Sequence, residues 1–348
     1  MTTACTSPGH PHTGLMHRHL RRAVALVFLF GLSCGTAGAS SPGPDPLAAI
    51  AAAVEAGQAN APIPSVTTPA LTAVAGSGAD LGACSGFRKT RSKICNYGDA
   101  RGTHTMVIFG NSHAAMWVPG LSVIAKQSGW KLYPVVKEAC AYEIYVNLNH
   151  QWGVDNQCSV WYRWAMTVIE HLHPNVIIIG SYDATPQWGS GERVIAQAMR
   201  KLAPRVILLS DDVHTPAPGG CLSANGATQG TCLYREPAKA VTEAQMASNV
   251  ARVAGVQYLD VTNLTCDAGL CPAVIDGIIP TKDGAHLTVE YSTFIASALA
   301  NGLNLGGANT VPIVGVPLSS VGGATTTTTV GPGTTTTVPG TTTTTGAG

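Results

Sequence analysis

Thr105-Met106-Val107-Ile108-Phe109, followed without a break by Gly110-Asn111-Ser112-His113-Ala114, decides how this chain folds. The apolar, β-branched run reads as a strand. The glycine turn then opens a helix predicted over Ser112 to Gln127. A buried strand that feeds a helix directly is the first unit of a parallel sheet. The pattern recurs outward from it. Lys131 to Val136, Val176 to Ile179, Arg205 to Leu209 and Val256 to Leu259 read as four more strands. Helical patterns over Ser159 to His171, Glu192 to Leu202, Pro237 to Ala254 and Val289 to Leu299 lie between or after them, the third opening with a proline in a first turn that needs no N–H. Such alternation predicts an α/β fold, a five-stranded parallel sheet covered on both faces in a three-layer α/β/α sandwich.

The rest of the chain is organised around that core. Of 348 residues, 45% are hydrophobic and 11% charged, which suits one good-sized α/β domain with tails. His17, Arg21 and Arg22 precede the apolar run Ala23 to Leu32, and Ala37-Gly38-Ala39 offers a cleavage site, so 1–39 reads as an export signal and the mature chain as starting near Ser40. Met16 is an alternative start. The apolar run is about half the ~20 residues a membrane-spanning helix needs. Gly31-Leu32-Ser33 is a poor lead-in to a lipidated Cys34. Residues 40–83 form an Ala/Pro-rich lead-in arm with a helix candidate over Leu47 to Gly57 and an extended stretch from Ala61 to Gly78; 84–305 hold the core. The Gly/Thr-rich tail 306–348 has too few large apolar groups to offset the entropy of ordering, and reads as disordered, either a plain linker or a glycosylated stalk. A net charge of +1 supplies no overall basic field for a polyphosphate, and neither zinc-finger spacing nor a Lys/Arg-rich run is read within the core, so nucleic acid is not an expected partner.

Export bears on the cysteines. Taking Cys5 and Cys34 away with the leader leaves eight, an even number in an oxidising compartment. Neighbours fall in pairs, predicting Cys84 with Cys95, Cys140 with Cys158, Cys221 with Cys232 and Cys266 with Cys271. No Cys-x-x-Cys or paired-histidine spacing accompanies them, so no metal site is expected there.

Ser112 sits at the carboxyl end of the first core strand, where ligands bind in such sheets, and at a helix start whose N–H groups could stabilise an oxyanion. Alone, this block fits a helix cap as well as a nucleophile. Asp283-Gly284-Ala285-His286-Leu287-Thr288 changes that balance. Serine needs a base to take its proton, and the base needs a third group to orient it. Asp283 and His286, three residues apart on one loop after the last core strand, can be that pair. A solvated Asp-Gly turn is the competing reading, and Asp276 is a more distant candidate acid.

In this order the segments resemble the SGNH/GDSL hydrolase superfamily, and more narrowly the extracytoplasmic SGNH domain often fused to acyltransferase-3 membrane proteins. The residues that carry the resemblance run from Cys84 to Leu299: Cys95-Asn96-Tyr97-Gly98-Asp99, the strand into Gly110-Asn111-Ser112-His113-Ala114 with Trp117, Ala139-Cys140, Cys158 with Trp161, the two later cysteine pairs, and Asp283 to Thr288. The resemblance implies a flavodoxin-like sandwich with Ser112 as nucleophile, His286 as base and Asp283 as its orienting acid. It further implies hydrolysis or transfer of small acyl groups, typically O-acetyl on carbohydrate, with no cofactor and no metal. In the fused proteins the membrane part delivers the acyl group and the SGNH part passes it to sugar. This sequence shows no such membrane part, so it acts alone as an esterase or takes acyl groups from a separately encoded partner.

Two positions depart from the family pattern. Asn111 stands where Asp is usual. Gly180-Ser181-Tyr182-Asp183 replaces the Gly-x-Asn-Asp block, so no Asn is there to donate to an oxyanion. Ser181 or Tyr182 are the candidate substitutes, with the Ser112 N–H and an N–H from the loop around Ala139. Loss of one oxyanion donor typically costs about 10²–10³ in rate, which predicts slow hydrolysis. The departures leave a second class open, a non-catalytic envelope protein whose cleft binds glycan or a membrane acyltransferase partner. Among the tryptophans, Trp161 and Trp164 read as helix packing, and the loop residues Trp152 and Trp188 as sugar platforms.

Overall fold

The computed structural model describes residues 45–140, 157–181 and 188–305. The stretch read as an export signal and the 306–348 tail lie outside the described residues, as do Trp152 and Tyr182. In chain order the elements are α1 (Pro46–Gln58), β1 (His104–Gly110), α2 (Ser112–Ala115), α3 (Val118–Ser128), β2 (Trp130–Val136), α4 (Cys158–Leu172), β3 (Val176–Gly180), α5 (Trp188–Met199), β4 (Arg205–Leu209), α6 (Pro218–Leu222), β5 (Leu233–Arg235), α7 (Ala238–Ala254), β6 (Gln257–Leu259), β7 (Leu270–Pro272), α8 (Val289–Phe294) and α9 (Ala296–Leu303).

Five strands form one parallel sheet in the order β2-β1-β3-β4-β6, and the short β5 and β7 pair antiparallel beside it. Alternate residues of each core strand face opposite layers, as the strand period of two requires. Met106, Ile108, Leu132, Ile178 and Ile207 pack with Ile50 of α1, Leu121 and Ile124 of α3, Tyr291 of α8 and Leu299 of α9. Val107, Phe109, Val135, Ile177, Ile179 and Leu208 pack on the other side with Trp161 and Ile169 of α4, Ile195 of α5 and Val250 of α7. Burial of each such side chain contributes about 1.5–3 kcal/mol. Covering both faces is what makes the strands apolar throughout instead of alternating.

The five expected strands are present within a residue or two, but the helices differ in four places, the first being that the one expected over Glu192 to Leu202 runs from Trp188 to Met199. The expected Ser112–Gln127 helix is divided, because Pro119 has no N–H for the Ala115 carbonyl and its ring clashes with it. The last helix is likewise two pieces, α8 and α9, and Pro237 caps α7 from outside instead of opening it. The stretch read as a lead-in arm is packed: Ile50 is 1% exposed, and isolated bridges tie Pro62 to Thr228, Thr68 to Ile278 and Gly78 to Thr288. All four expected disulfides are present, Cys84–Cys95, Cys140–Cys158, Cys221–Cys232 and Cys266–Cys271. No helix among the described residues is long and apolar enough to cross a membrane.

Candidate active site

In this strand order the connections diverge between β1 and β3, and ligands bind where the order reverses, beyond the carboxyl ends. Gly110 and Gly180, the last residues of those strands, are register partners. A Cβ on Gly180 would sit 3.3 Å from Ala114 Cα, so the small residue lets α2 close down on the strand end. Asn111 follows in an extended conformation and uses both ends of its amide. Its Oδ1 accepts from the His113 N–H at 3.0 Å, and its Nδ2 donates to Ser181 Oγ at 3.1 Å. An aspartate could cap the helix turn as well, but it would accept from the Ser181 hydroxyl where the Asn111 amide donates to it. Among the described residues no acceptor takes the Ser112 backbone N–H.

The late block is a tight loop clasped at its base. Thr281 bridges Leu287, Lys282 N–H donates to the His286 carbonyl at 2.9 Å, and Thr288 caps α8 by accepting from the Tyr291 N–H. Gly284 turns the chain with φ of 93°, where an added Cβ would overlap the Thr215 carbonyl oxygen. Thr215 N–H in turn donates to the Gly284 carbonyl at 2.9 Å. Glycine is needed both for the positive φ and for this approach, and the contact fixes the loop against the segment that leaves β4.

These supports bring Ser112, His286 and Asp283 into series. His286 Nε2 is 3.0 Å from Ser112 Oγ, and His286 Nδ1 is 2.9 Å from Asp283 Oδ2. The other carboxylate oxygen accepts from the Ala285 and His286 N–H groups at 3.0 and 2.9 Å, so the carboxylate is held by the loop that carries the histidine. Burial alone would raise the Asp283 pKa, but those N–H donors and the His286 imidazole hold it below the usual carboxylate range. His286 lies below its ordinary value because of burial and the positive charge of His113, only partly opposed by Asp283. A neutral imidazole between a hydroxyl and a carboxylate can take a proton on one nitrogen while the other stays oriented. Asp276 is exposed in a turn, and His286 Nδ1 is engaged by Asp283 instead.

Directly behind this series stands a second histidine-carboxylate group that the sequence reading passed over. His113, 3% exposed, lies with its ring centroid 4.6 Å from that of His286. Its Nδ1 is 2.6 Å from Asp211 Oδ1 and 3.4 Å from Asp212 Oδ1, and His214 Nε2 is 3.2 Å from Asp211 Oδ2. Burial would lower the His113 pKa, but Asp211 overrides it and holds it up to about 10. Asp211 is pushed below its ordinary value by the same partner against the opposing effect of burial, and burial together with the Asp211 charge raises Asp212 to about 6. Glu192 is also wholly buried, and its pKa is raised well above the ordinary carboxylate value, first by burial and then by the Asp211 charge. His113, Asp211, Asp212 and His214 bring ligand-type atoms within 4.8 Å of one another. Two ligands of one zinc ion at bond lengths near 2.1 Å stand about 3.3 Å apart. The 2.6 Å contact between His113 Nδ1 and Asp211 Oδ1 is instead a hydrogen bond. The sequence signal was present: Asp211-Asp212 comes straight after a predicted buried strand, at the rim where Ser112 also lies.

Of the other expected residues, Ser181 is buried beside Asn111, and Trp188 opens α5 with its side chain outside what is described. Ala139 has φ of 59°, just past β2. Trp117 and Trp161 are core residues, 1% and 0% exposed.

A family model described as the SGNH domain fused to AT3 domains matches residues 83–301. No curated protein matches the chain. Among solved structures, the periplasmic domain of a lipopolysaccharide acetyltransferase from Salmonella ser. Paratyphi A is 16% identical, with 59% of this chain and 83% of that one covered at a TM-score of 0.47. The native aryl esterase of M. smegmatis is 18% identical over 58% of this chain and 99% of its own, with a TM-score of 0.39. Axe2, an acetylxylan esterase from Geobacillus stearothermophilus, is 11% identical over 59% and 96%, with a TM-score of 0.37.

Proposed function

Because this chain belongs to the family of SGNH domains found fused to AT3 domains, we propose that it is an exported, serine-dependent carbohydrate O-acyl esterase or O-acyltransferase. The observation that carries the reading is the unbroken series from Ser112 Oγ through His286 to Asp283, with contacts of 3.0 and 2.9 Å, at the carboxyl end of β1. In the first half-reaction Ser112 Oγ attacks an ester carbonyl while His286 Nε2 takes its proton. The C–O bond to the sugar then breaks, and the leaving sugar oxygen takes the proton back from His286, leaving an acyl group on Ser112. In the second, a water or a sugar hydroxyl attacks that acyl group, His286 accepts the incoming proton, and Ser112 leaves and is reprotonated. Water gives an acid and hence hydrolysis; a sugar hydroxyl gives a new ester and hence transfer. Asp283 keeps the imidazole oriented and stabilises the imidazolium without taking its proton. The Ser112 N–H, with Ser181 and Tyr182 as further candidate donors, would receive the oxyanion.

Four disulfides and the leader-like N-terminus support export to an oxidising compartment at the cell envelope, and the family's association with AT3 domains supports a membrane acyltransferase as acyl donor. Fluorophosphonate labelling and p-nitrophenyl acetate turnover test the reading directly, with Ser112→Ala and His286→Ala as controls. Wild-type protein that neither labels nor turns over beyond these variants would favour the second reading, a glycan-binding envelope protein, to which the missing oxyanion Asn in 180–183 lends support. Adding O-acetylated polysaccharide, then deacetylated polysaccharide with an acyl donor, separates hydrolysis from transfer.

A further inference from the structure

The disulfide Cys84–Cys95 closes a loop whose sequence, Ser85-Gly86-Phe87-Arg88-Lys89-Thr90-Arg91-Ser92-Lys93-Ile94, contains no acid. Four of the chain's 20 lysines and arginines fall in six of its residues, in a protein whose net charge is only +1. Arg88, Lys89, Arg91 and Lys93 are all exposed, and none forms an ion pair among the described residues. Nothing in the fold requires them to be charged.

The loop is nonetheless held firmly. Gly86 N–H donates to the Val136 carbonyl at 2.9 Å, Lys89 N–H to Gly86 and Lys93 N–H to Ala83, each also at 2.9 Å. From below, the wholly buried Lys137 donates from Nζ to the Gly86 and Lys89 carbonyls at 2.6 and 2.8 Å, which pins the loop to the end of β2. Glu138 accepts a hydrogen bond from Ser85 at the loop's base. Arg88 lies over the exposed Phe87 ring at 5.1 Å. Fixing like charges side by side raises their mutual repulsion, a cost that a bound anion removes.

The loop's position gives it a use. Val136 is the last residue of β2 and the register partner of Gly110, and Lys137 N–H donates to the Gly110 carbonyl at 2.9 Å. Gly86 therefore stands two strand spacings, roughly 10 Å, from the turn that carries Ser112, on the same rim of the sheet.

We propose that loop 85–94 is the docking site for an anionic polysaccharide, one bearing carboxylate or phosphate groups along its backbone, and that it leads the polymer's O-acyl groups to Ser112. The proposal rests on the carbohydrate reading above and adds the charge of the substrate. Its test is calorimetric binding of the full chain to polygalacturonate, to neutral dextran and to phosphatidylglycerol vesicles, at low and raised salt. Polygalacturonate should bind and dextran should not. Substitution of Arg88, Lys89, Arg91 and Lys93 by Gln should weaken binding by about tenfold or more, and salt should do the same, because binding releases counterions from the polymer. Turnover of p-nitrophenyl acetate should be unchanged in that variant, which also reports that it folds. Equal binding by wild type and variant, equal binding of dextran, or capture by vesicles without capture by polygalacturonate would overturn the proposal. Binding without any ester turnover would sink the catalytic reading and leave the docking site standing.

Discussion

Two histidine-carboxylate pairs stand side by side in this molecule, and the same two groups behave oppositely in them. Asp283 and His286 are three residues apart on one loop, 47% and 26% exposed at the side chain, and 2.9 Å from each other. His113 and Asp211 are 98 residues apart, 3% and 5% exposed, and 2.6 Å from each other. In the buried pair the carboxylate has no water to share its charge, so its attraction outweighs the desolvation of His113 and keeps a proton on the imidazole. In the loop pair the carboxylate is already satisfied by two backbone N–H groups, and the neighbouring His113 charge helps to keep His286 unprotonated. One pair is thereby suited to receive a proton, the other to hold one.

The largest expected effect breaks the loop pair's side of this comparison. His286→Ala and Ser112→Ala should each lower kcat for p-nitrophenyl acetate by on the order of 10⁴-fold or more, and the double variant should be no worse, because the two act as a unit. Asp283→Asn should lower kcat by about 10²–10⁴-fold through the wrong imidazole orientation, while urea denaturation shows a stability change within about 1 kcal/mol, as for other exposed pairs. Asp211→Ala should reverse that profile, costing about 3–5 kcal/mol in the same denaturation experiment by leaving His113 buried without its partner. Equal stability losses in Asp283→Asn and Asp211→Ala would erase the distinction drawn between the pairs.

The smallest effect sharpens the coupling between them. The base works neutral, so kcat/KM should be full at higher pH and lost as pH falls through the His286 pKa, which lies below its ordinary 6.5. His113→Gln removes the imidazolium facing His286 and leaves Asp283 and Lys282 in place, so the acidic limb should move to higher pH. His113→Lys retains the charge and should leave the limb near its wild-type position. A limb that stays fixed in His113→Gln would mean that His113 only packs.

How much of this was legible in the sequence follows from where each interaction closes. The five core strands were readable because burial on both faces leaves no polar alternation, and Val176 to Ile179 can be little else. The Asp283–His286 pair was readable because both residues share one short loop. The His113–Asp211 pair was legible only in part: Asp211-Asp212 follows a strand at the site's rim, but 98 residues separate it from His113 and no local period links the two. The expectation of no Lys/Arg-rich run in the core does not hold: Arg88 to Lys93 is such a run, legible locally, but a net of +1 averages its cations away. The division of the Ser112–Gln127 helix could have been read from Pro119, whose missing N–H is a local fact.

Sequence by itself determined the layers and the Asp283–His286 spacing, which depend on residue type and short-range pattern, and it pointed to Ser112 and to neighbouring cysteine pairs without selecting among the possible connectivities. Tertiary structure alone decided the electrostatics: which imidazole is neutral, which carboxylate is fixed by N–H donors, and which charges share a rim. Those depend on burial and on distances of a few ångströms between segments far apart in the chain, where the interaction of two charges is strong enough to set a proton's position.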